Sequence, residues 1–417
     1  MKTRIITMLT LLFIALQACE NNNDTLMVKV AKPKYMTLDE HRSSVKVTSP
    51  VPIEQSAKIY TYKNLIFVND LDKGIHVIDN TNPKNPQKIA FLEIPANKDM
   101  EVKGDYLYAD SLMDLVVFDI SDLNDIKEVN RLKDVFPAYV PFIFEDDVFF
   151  DYSQQNYTPD EILVGWEIKN EWKTQAEIDA LQRSVFSGGF LLAANAAEFD
   201  AQGQGGSLAR FKIVSNYLYA VDSHNIHVFD ISDLNEPNKV TDVFAGFDIE
   251  TIFNRGAYLF LGSMTGVFIY DIESPESPKY VSEFRHGTAC DPVVVDDTYA
   301  YITLRAGNNC GATESSLQVV DISDIQNPQL VKSYAMDGPY GLGIQNNLLF
   351  VCDGGSGLKV YDKTDVENLI MLNDFKDITT HDVIPLEDHL LMIGDNMLYQ
   401  YEYGEGGILL ISKFSLQ

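Results

Sequence analysis

Residues Leu317 to Pro328 read LQVVDISDIQNP: an apolar run of strand-forming residues, an aspartate, then a polar turn that closes on proline. The phrase recurs along the chain. IHVIDNTNPKNP ends at Pro86, LVVFDISDLNDI starts at Leu115, IHVFDISDLNEP ends at Pro237, VFIYDIESPESP ends at Pro278, and LKVYDKTDVENL starts at Leu358. A worn copy, LYQYEYGEG, starts at Leu398. Self-similarity of this kind decides the fold before any other feature is read.

Working outward, each copy is preceded by an aromatic strand: LIFVN from Leu65, YLYAD from Tyr106, YLYAV from Tyr217, YLFLG from Tyr258, YAYIT from Tyr299, LLFVC from Leu348 and LLMIG from Leu390. A further strand, such as QKIAFLEI or QLVKSYAM, follows each turn. With an inner strand ahead of the aromatic one, each repeat holds four short strands, the composition of a propeller blade. The marks Asp79, Asp119, Asp230, Asp271, Asp321, Asp362 and Glu402 stand 40, 111, 41, 50, 41 and 40 residues apart. The sequence therefore predicts an all-β, seven-bladed β-propeller over residues 53–417, with a period near 40 and two insertions. The smaller insertion is the loop Arg305 to Ser316 of the fifth repeat. The larger, Pro137 to Gly206, lies between the second and third repeats and reads as mixed α/β: a strand from Glu161, then a helix opened by Thr174 and Glu177 at capping-box spacing. Its aromatics, among them Trp166 and Trp172, either pack the insertion or serve a ligand.

The recurring aspartate invites reading as a ring of carboxylates. In D-x-[ST]-[DP], however, the carboxylate accepts a backbone N–H two residues on and closes a turn, so these residues are expected to be structural.

IHVID, LVVFD, IHVFD, LQVVD and LKVYD resemble the LVIVD repeat of secreted bacterial propeller proteins, over nearly the whole chain beyond its N-terminal tether. CDPVVVDDTYAYITLRAGNNC and GLGIQNNLLFVCDGGSGLKVYD are similar to strings of lipid-anchored members. The resemblance implies fold and location. That family has no established activity, so no catalytic residue is carried over. The seventh copy, with Tyr401 and Glu402, departs from the pattern, as terminal repeats do.

Residues 1–18 have Lys2 and Arg4, an apolar run from Ile5 to Leu16, and then LQAC ending in Cys19, the plan of a secretory signal. LQAC resembles a bacterial lipobox, which implies an acylated Cys19 and an outer-membrane lipoprotein, on the periplasmic side or at the cell surface. Residues 19–52 are expected to form the lipid-anchored tether and N-terminal arm, with a short helix from Leu38 capped by Thr37 and Glu40. The net charge of −29 becomes −31 once Lys2 and Arg4 are removed. A chain this acidic is a poor partner for nucleic acid, and the membrane is expected to be met through the lipid alone. Cys290 and Cys310, flanking two strands of the fifth repeat, are candidates for a disulfide, and Cys352 reads as a buried hydrophobe.

Metalloprotease, nucleophile-elbow, phosphate-loop and CxxC motifs are absent from the sequence. His224 and His227 flank a strand start and read as ordinary satisfied or exposed histidines. Counting back from the aromatic strands, and allowing one residue of slippage, places Asp99, Glu250, Asp291 and Asp382 near the starts of four inner strands, with Arg210 and Tyr340 in two others. Carboxylates about 8 Å apart repel by roughly 2 kcal/mol at an effective dielectric near 20. Such a ring needs water, Arg210, Arg305, His286 or His381 as partners, or a hard cation such as Ca²⁺ in the channel. The expected function is that of a binding or scaffolding module for an extracellular protein or glycan. The alternative is a hydrolase or lyase with its site at the channel mouth.

Overall fold

A computed structural model of the chain describes residues 25–137, 148–153, 161–187, 207, 209–287, 292–306 and 313–417. Two compact units are formed, Met1–Glu40 with Val140–Leu192, and His41–Tyr139 with Ala193–Gln417.

In the first unit the N-terminal arm is a strand, and residues 19–24 of the expected tether lie outside the described residues. Thr25–Thr37 is a strand of 13 residues, paired antiparallel along its whole length with Glu161–Thr174 and parallel with Val148–Phe150. The arm and the insertion thus share one sheet. Lys32 and Glu171 are joined across it at 2.6 Å, and the ring of Trp166 meets those of Phe150 and Tyr152 at 5.0 and 5.5 Å. These aromatics pack on one another, whereas Trp172 is 63% exposed. Both capping boxes form. Thr37 N–H donates to Glu40 Oε2 at 2.8 Å ahead of the helix Leu38–Ser43, and Thr174 N–H to Glu177 Oε2 at 2.7 Å ahead of Gln175–Ser187.

The second unit holds, among the described residues, seven antiparallel sheets whose strands follow one another in chain order. The fifth sheet is typical: Val293–Val295, Tyr299–Leu304, Ser316–Asp321, Gln329–Ala335. The first sheet gains a fifth strand, Lys46–Thr48, which pairs with Phe91–Glu93 on its edge. The first strands of the seven sheets, in order, are Ser56–Tyr62, Met100–Lys103, Phe211–Val214, Ile249–Arg255, Val293–Val295, Leu342–Gln345 and Asp382–Pro385. In every sheet the third and fourth strands slip past each other by one residue, as at Val319/Val320. Such bulges increase local twist.

The core lies between sheets. Second strands such as Leu65–Asp70 are buried on both faces, which explains why they read as continuous apolar runs. Each neighbouring pair of sheets shares a hydrophobic cluster, from Phe67 with Leu107 to Phe350 with Leu390. One more cluster joins Leu391 and Leu398 of the seventh sheet to Ile59 and Ile66 of the first.

The repeated aspartate closes its turn as expected. Asp79, Asp119, Asp230, Asp321 and Asp362 each accept the N–H two residues on at 2.8–2.9 Å, and Asp271 does so at 2.6 Å. The turn has a second consequence, because it presents the carbonyl four residues after the aspartate to the preceding sheet. Tyr108 Oη donates to Leu234 O at 2.7 Å, Tyr219 Oη to Pro275 O at 2.9 Å, Ser282 Oγ to Ile325 O at 2.6 Å and Tyr334 Oη to Val366 O at 2.7 Å. Pro83 O in the first sheet accepts from Ser412 and Gln400 of the seventh, at 2.6 and 3.0 Å.

Candidate functional site

Six of the nine channel candidates cluster at the starts of the first strands. Asp99, fully buried, precedes Met100–Lys103 and is bound on all sides. Oδ1 accepts from the Lys58 ammonium and from Met100 N–H at 2.5 Å. Oδ2 accepts from the backbone N–H groups of Arg210 and Phe211 at 2.5 and 2.8 Å. Its carboxylate therefore ties the second sheet to the third through main chain and to the first through an ion pair. Sequence reasoning missed Lys58, although it stands seven residues before Leu65, as Asp99 does before Tyr106 and Arg210 before Tyr217. Burial pulls the Lys58 ammonium down to about 7 against the opposing pull of Glu101, Asp382 and Asp110. Glu101 and Lys212, two residues further along their strands, repeat the pairing at 3.5 Å.

The first strand of the seventh sheet lies against that of the first, as the first lies against the second. Asp382 at its start is 0% exposed. Oδ1 accepts Val383 N–H at 2.8 Å, and Oδ2 has no hydrogen-bond partner among the described residues. Burial pushes its carboxyl well above the usual range, with Lys58 opposing. Gly341 of the sixth sheet faces it so closely that a Cβ there would stand 2.6 Å from Asp382 Oδ1. Beside them, Arg305 lies over the Tyr340 ring at 4.1 Å with Nη1 donating to Tyr340 Oη at 2.7 Å, and the same ring meets His381 edge-on at 5.4 Å. Ser207 closes the group from the approach to the third sheet: its hydroxyl accepts Leu342 N–H at 3.0 Å.

At the starts of the first strands of sheets seven, one, two, three and four stand Asp382, Lys58, Asp99, Arg210 and Glu250, so a basic residue separates the acids along the order of the sheets. Glu250 is half-buried and is the extra residue of a bulge between Ile249 and Thr251, so it is out of step with Asp99. His286 follows the fourth strand of the fourth sheet, where Nδ1 donates to Gly287 O at 2.5 Å. Asp291, Cys290, Cys310 and Cys19 lie outside the described residues. Among the described residues no group of three or more His, Cys, Asp or Glu side chains is placed to hold a metal ion.

The remaining sequence candidates have structural roles. Cys352 is buried within the sixth sheet, and burial pushes its thiol well up. His227 is satisfied by two carboxylates, Asp242 at 2.6 Å and Asp222 at 2.9 Å. His224 packs edge-on against Phe247 at 5.5 Å.

A family model described as the LVIVD repeat matches residues 96–134, 205–243 and 286–336, which fall on the second, third and fifth repeats. The chain carries LVIVD repeats at these three segments. No curated protein matches it significantly. Solved structures similar to this LVIVD-repeat chain include Sqt1 of Saccharomyces cerevisiae, with a TM-score of 0.51 at 8% identity over 88% of this chain and 87% of that one. The computationally designed Ika8 protein gives 0.50 at 12% identity over 87% and 89%. KlHsv2 with loop 6CD replaced by a Gly-Ser linker gives 0.50 at 10% identity over 87% and 99%. At these identities the likeness is one of fold alone, and the LVIVD-repeat chain is propeller-like.

Proposed function

We propose that the LVIVD-repeat sheets close into a seven-bladed propeller, held by a lipid on Cys19 at the outer membrane, which acts as a binding or scaffolding module for an extracellular protein or glycan. Closure is supported by the contact between Ser412 and Pro83, because it repeats between the last sheet and the first the bond that joins consecutive sheets elsewhere. The binding reading is carried by the way charge is spent at the starts of the first strands. Lys58 and Asp99 answer each other, and Arg305 is engaged with Tyr340, so these groups hold sheets together. Recognition then falls to loops and strand edges, the surfaces a rigid repeat scaffold leaves variable.

The test is expression of the full chain in a bacterium with Cys19 intact or changed to Ser. The reading expects wild type to gain the mass of a lipoprotein anchor and to fractionate with membranes, and Cys19→Ser to lose both. Binding is read by titrating purified protein with extracellular polysaccharide and with surface proteins of the same cells. An unmodified, soluble wild-type chain sinks the anchor, and failure to bind either fraction sinks the module.

A further inference from the structure

The sheet of the first unit has one end unlike the rest. Val148–Phe150 pairs with Lys29–Ala31, and among the described residues Thr25–Val28 and Glu171–Thr174 run on past it as a two-stranded tip. Met27 stands opposite Trp172 on one face of this tip, and Leu26, the residue before Met27, belongs to the other face. Leu26 and Met27 are each 52% exposed and Trp172 is 63% exposed. Among the described residues of this unit, the one other large apolar side chain more than a third exposed is Ile168, four residues before Trp172 and on its face. Trp166, by contrast, packs its ring on Phe150 and Tyr152.

Apolar side chains on both faces of a narrow tip cannot be covered together by one flat protein surface, whereas a bilayer closes around what is pushed into it. Tryptophan suits that place, because its ring is apolar and its N–H settles at the level of the headgroups. Charge agrees. The two long strands carry Lys29, Lys32, Lys34, Lys169 and Lys173 against Glu161, Glu167 and Glu171, a basic balance within a chain of net charge −29, and basic residues are drawn to anionic headgroups. The tip is also where the chain enters the unit. Cys19 stands six residues before Thr25, a reach of at most about 20 Å, whereas the strand Thr25–Thr37 is itself about 40 Å long. Of the two ends of that strand, a lipid on Cys19 therefore holds the apolar one near the bilayer.

We infer that the tip formed by Leu26, Met27 and Trp172 seats in the surface of the phospholipid bilayer beside the anchor. This rests on the lipid-anchor reading for what brings the tip to the membrane, and goes beyond it in giving the polypeptide a lipid contact of its own. An acyl anchor alone leaves a protein free to swivel, and a seated tip fixes which end of the sheet faces the lipid.

The experiment uses the full chain, purified from the cell fraction that holds it, and its mass, read first, reports the lipid on Cys19 separately. The protein is combined with vesicles of phosphatidylethanolamine and phosphatidylglycerol, with and without bromine on the acyl chains, and tryptophan emission is recorded. We expect brominated lipid to quench the emission of wild type by roughly a third, since Trp172 is one of two tryptophans. Trp172→Phe should remove that quenching while Trp166 keeps its emission. The double variant Leu26→Asp, Met27→Asp, whose sites are exposed and whose melting temperature serves as the folding control, should lose at least half of the quenching. No quenching of wild type, quenching that survives Trp172→Phe, or a double variant quenched as strongly as wild type overturns the proposal. An unacylated chain that is still quenched removes the anchor and keeps the tip, whereas an acylated chain that is not quenched removes the tip and keeps the anchor. A dimer in detergent that the double variant abolishes overturns the proposal too, in favour of a second copy.

Discussion

The ammonium of Lys58 donates to the carboxylate of Asp99 one repeat further along the chain, and the two side chains are 4% and 1% exposed. Removing one partner of a buried pair strands the other. Lys58→Met is therefore expected to cost about 3 kcal/mol, read as a lower midpoint in urea at unchanged slope. Adding Asp99→Asn should restore part of the loss, because no uncompensated charge remains. A Lys58→Met midpoint equal to that of wild type would refute the pairing.

The carbonyl four residues beyond the repeated aspartate predicts equal behaviour at distant joints. Tyr108→Phe between the second and third sheets and Ser412→Ala between the seventh and first each remove one hydrogen bond and should each cost about 1 kcal/mol. If Ser412→Ala were silent while Tyr108→Phe was not, the joint between last and first sheets would not carry load, and the closed ring would have to be abandoned.

Acid stability should depend on Asp222. Burial raises its carboxyl, but the hydrogen bonds from His227 and from the N–H groups of His224 and Asn225 outweigh that and hold it well below the ordinary 3.8. A depressed carboxyl contributes stability that is complete above its unfolded pKa and drains away as pH falls through the folded one. Denaturation midpoints should therefore drop as pH falls below about 4, and Asp222→Asn should flatten that part of the profile. A wild-type profile no steeper than that of the variant would rule this assignment out.

Gly341→Ala should destabilise by about 1–3 kcal/mol, since the added methyl would press on Asp382 Oδ1 and on His381 O, at 2.6 and 3.0 Å. Gly338→Ala, where nothing among the described residues lies within 4 Å of the added methyl, is the control, expected within about 0.5 kcal/mol of wild type. Indistinguishable melting curves for the two would show that the gap at Asp382 is wider than described.

What was legible in the sequence was local. The aspartate turn completes itself within five residues, and the capping boxes of Thr37 and Thr174 within three, so pattern alone suffices. The pairing of Thr25–Thr37 with Glu161–Thr174 spans the first two repeats, and no short-range signal announces it. The candidate site residues fall between these cases. Counting back seven residues from the aromatic strands reaches Asp99, Arg210 and also Lys58, whereas the register shift between Ile249 and Thr251 makes Glu250 an extra residue and displaces it from the count. That reading named Arg210 and Arg305 as partners for the acids and passed over Lys58, the cation that pairs with Asp99.

Among the described residues the first and seventh sheets exchange no strand, and Ile53 N–H meets Leu416 O at 2.9 Å. The two ends of the repeat region are therefore neighbours, and where the polypeptide is cut has little bearing on what the sheets bury. A circular permutant that joins residue 417 to residue 53 through a short linker and opens at the turn between Arg255 and Tyr258 should keep the buried residues of every inter-sheet cluster, losing only Val45 and Val47 from the edge of the first, so genetic order and structural order are separable in this protein.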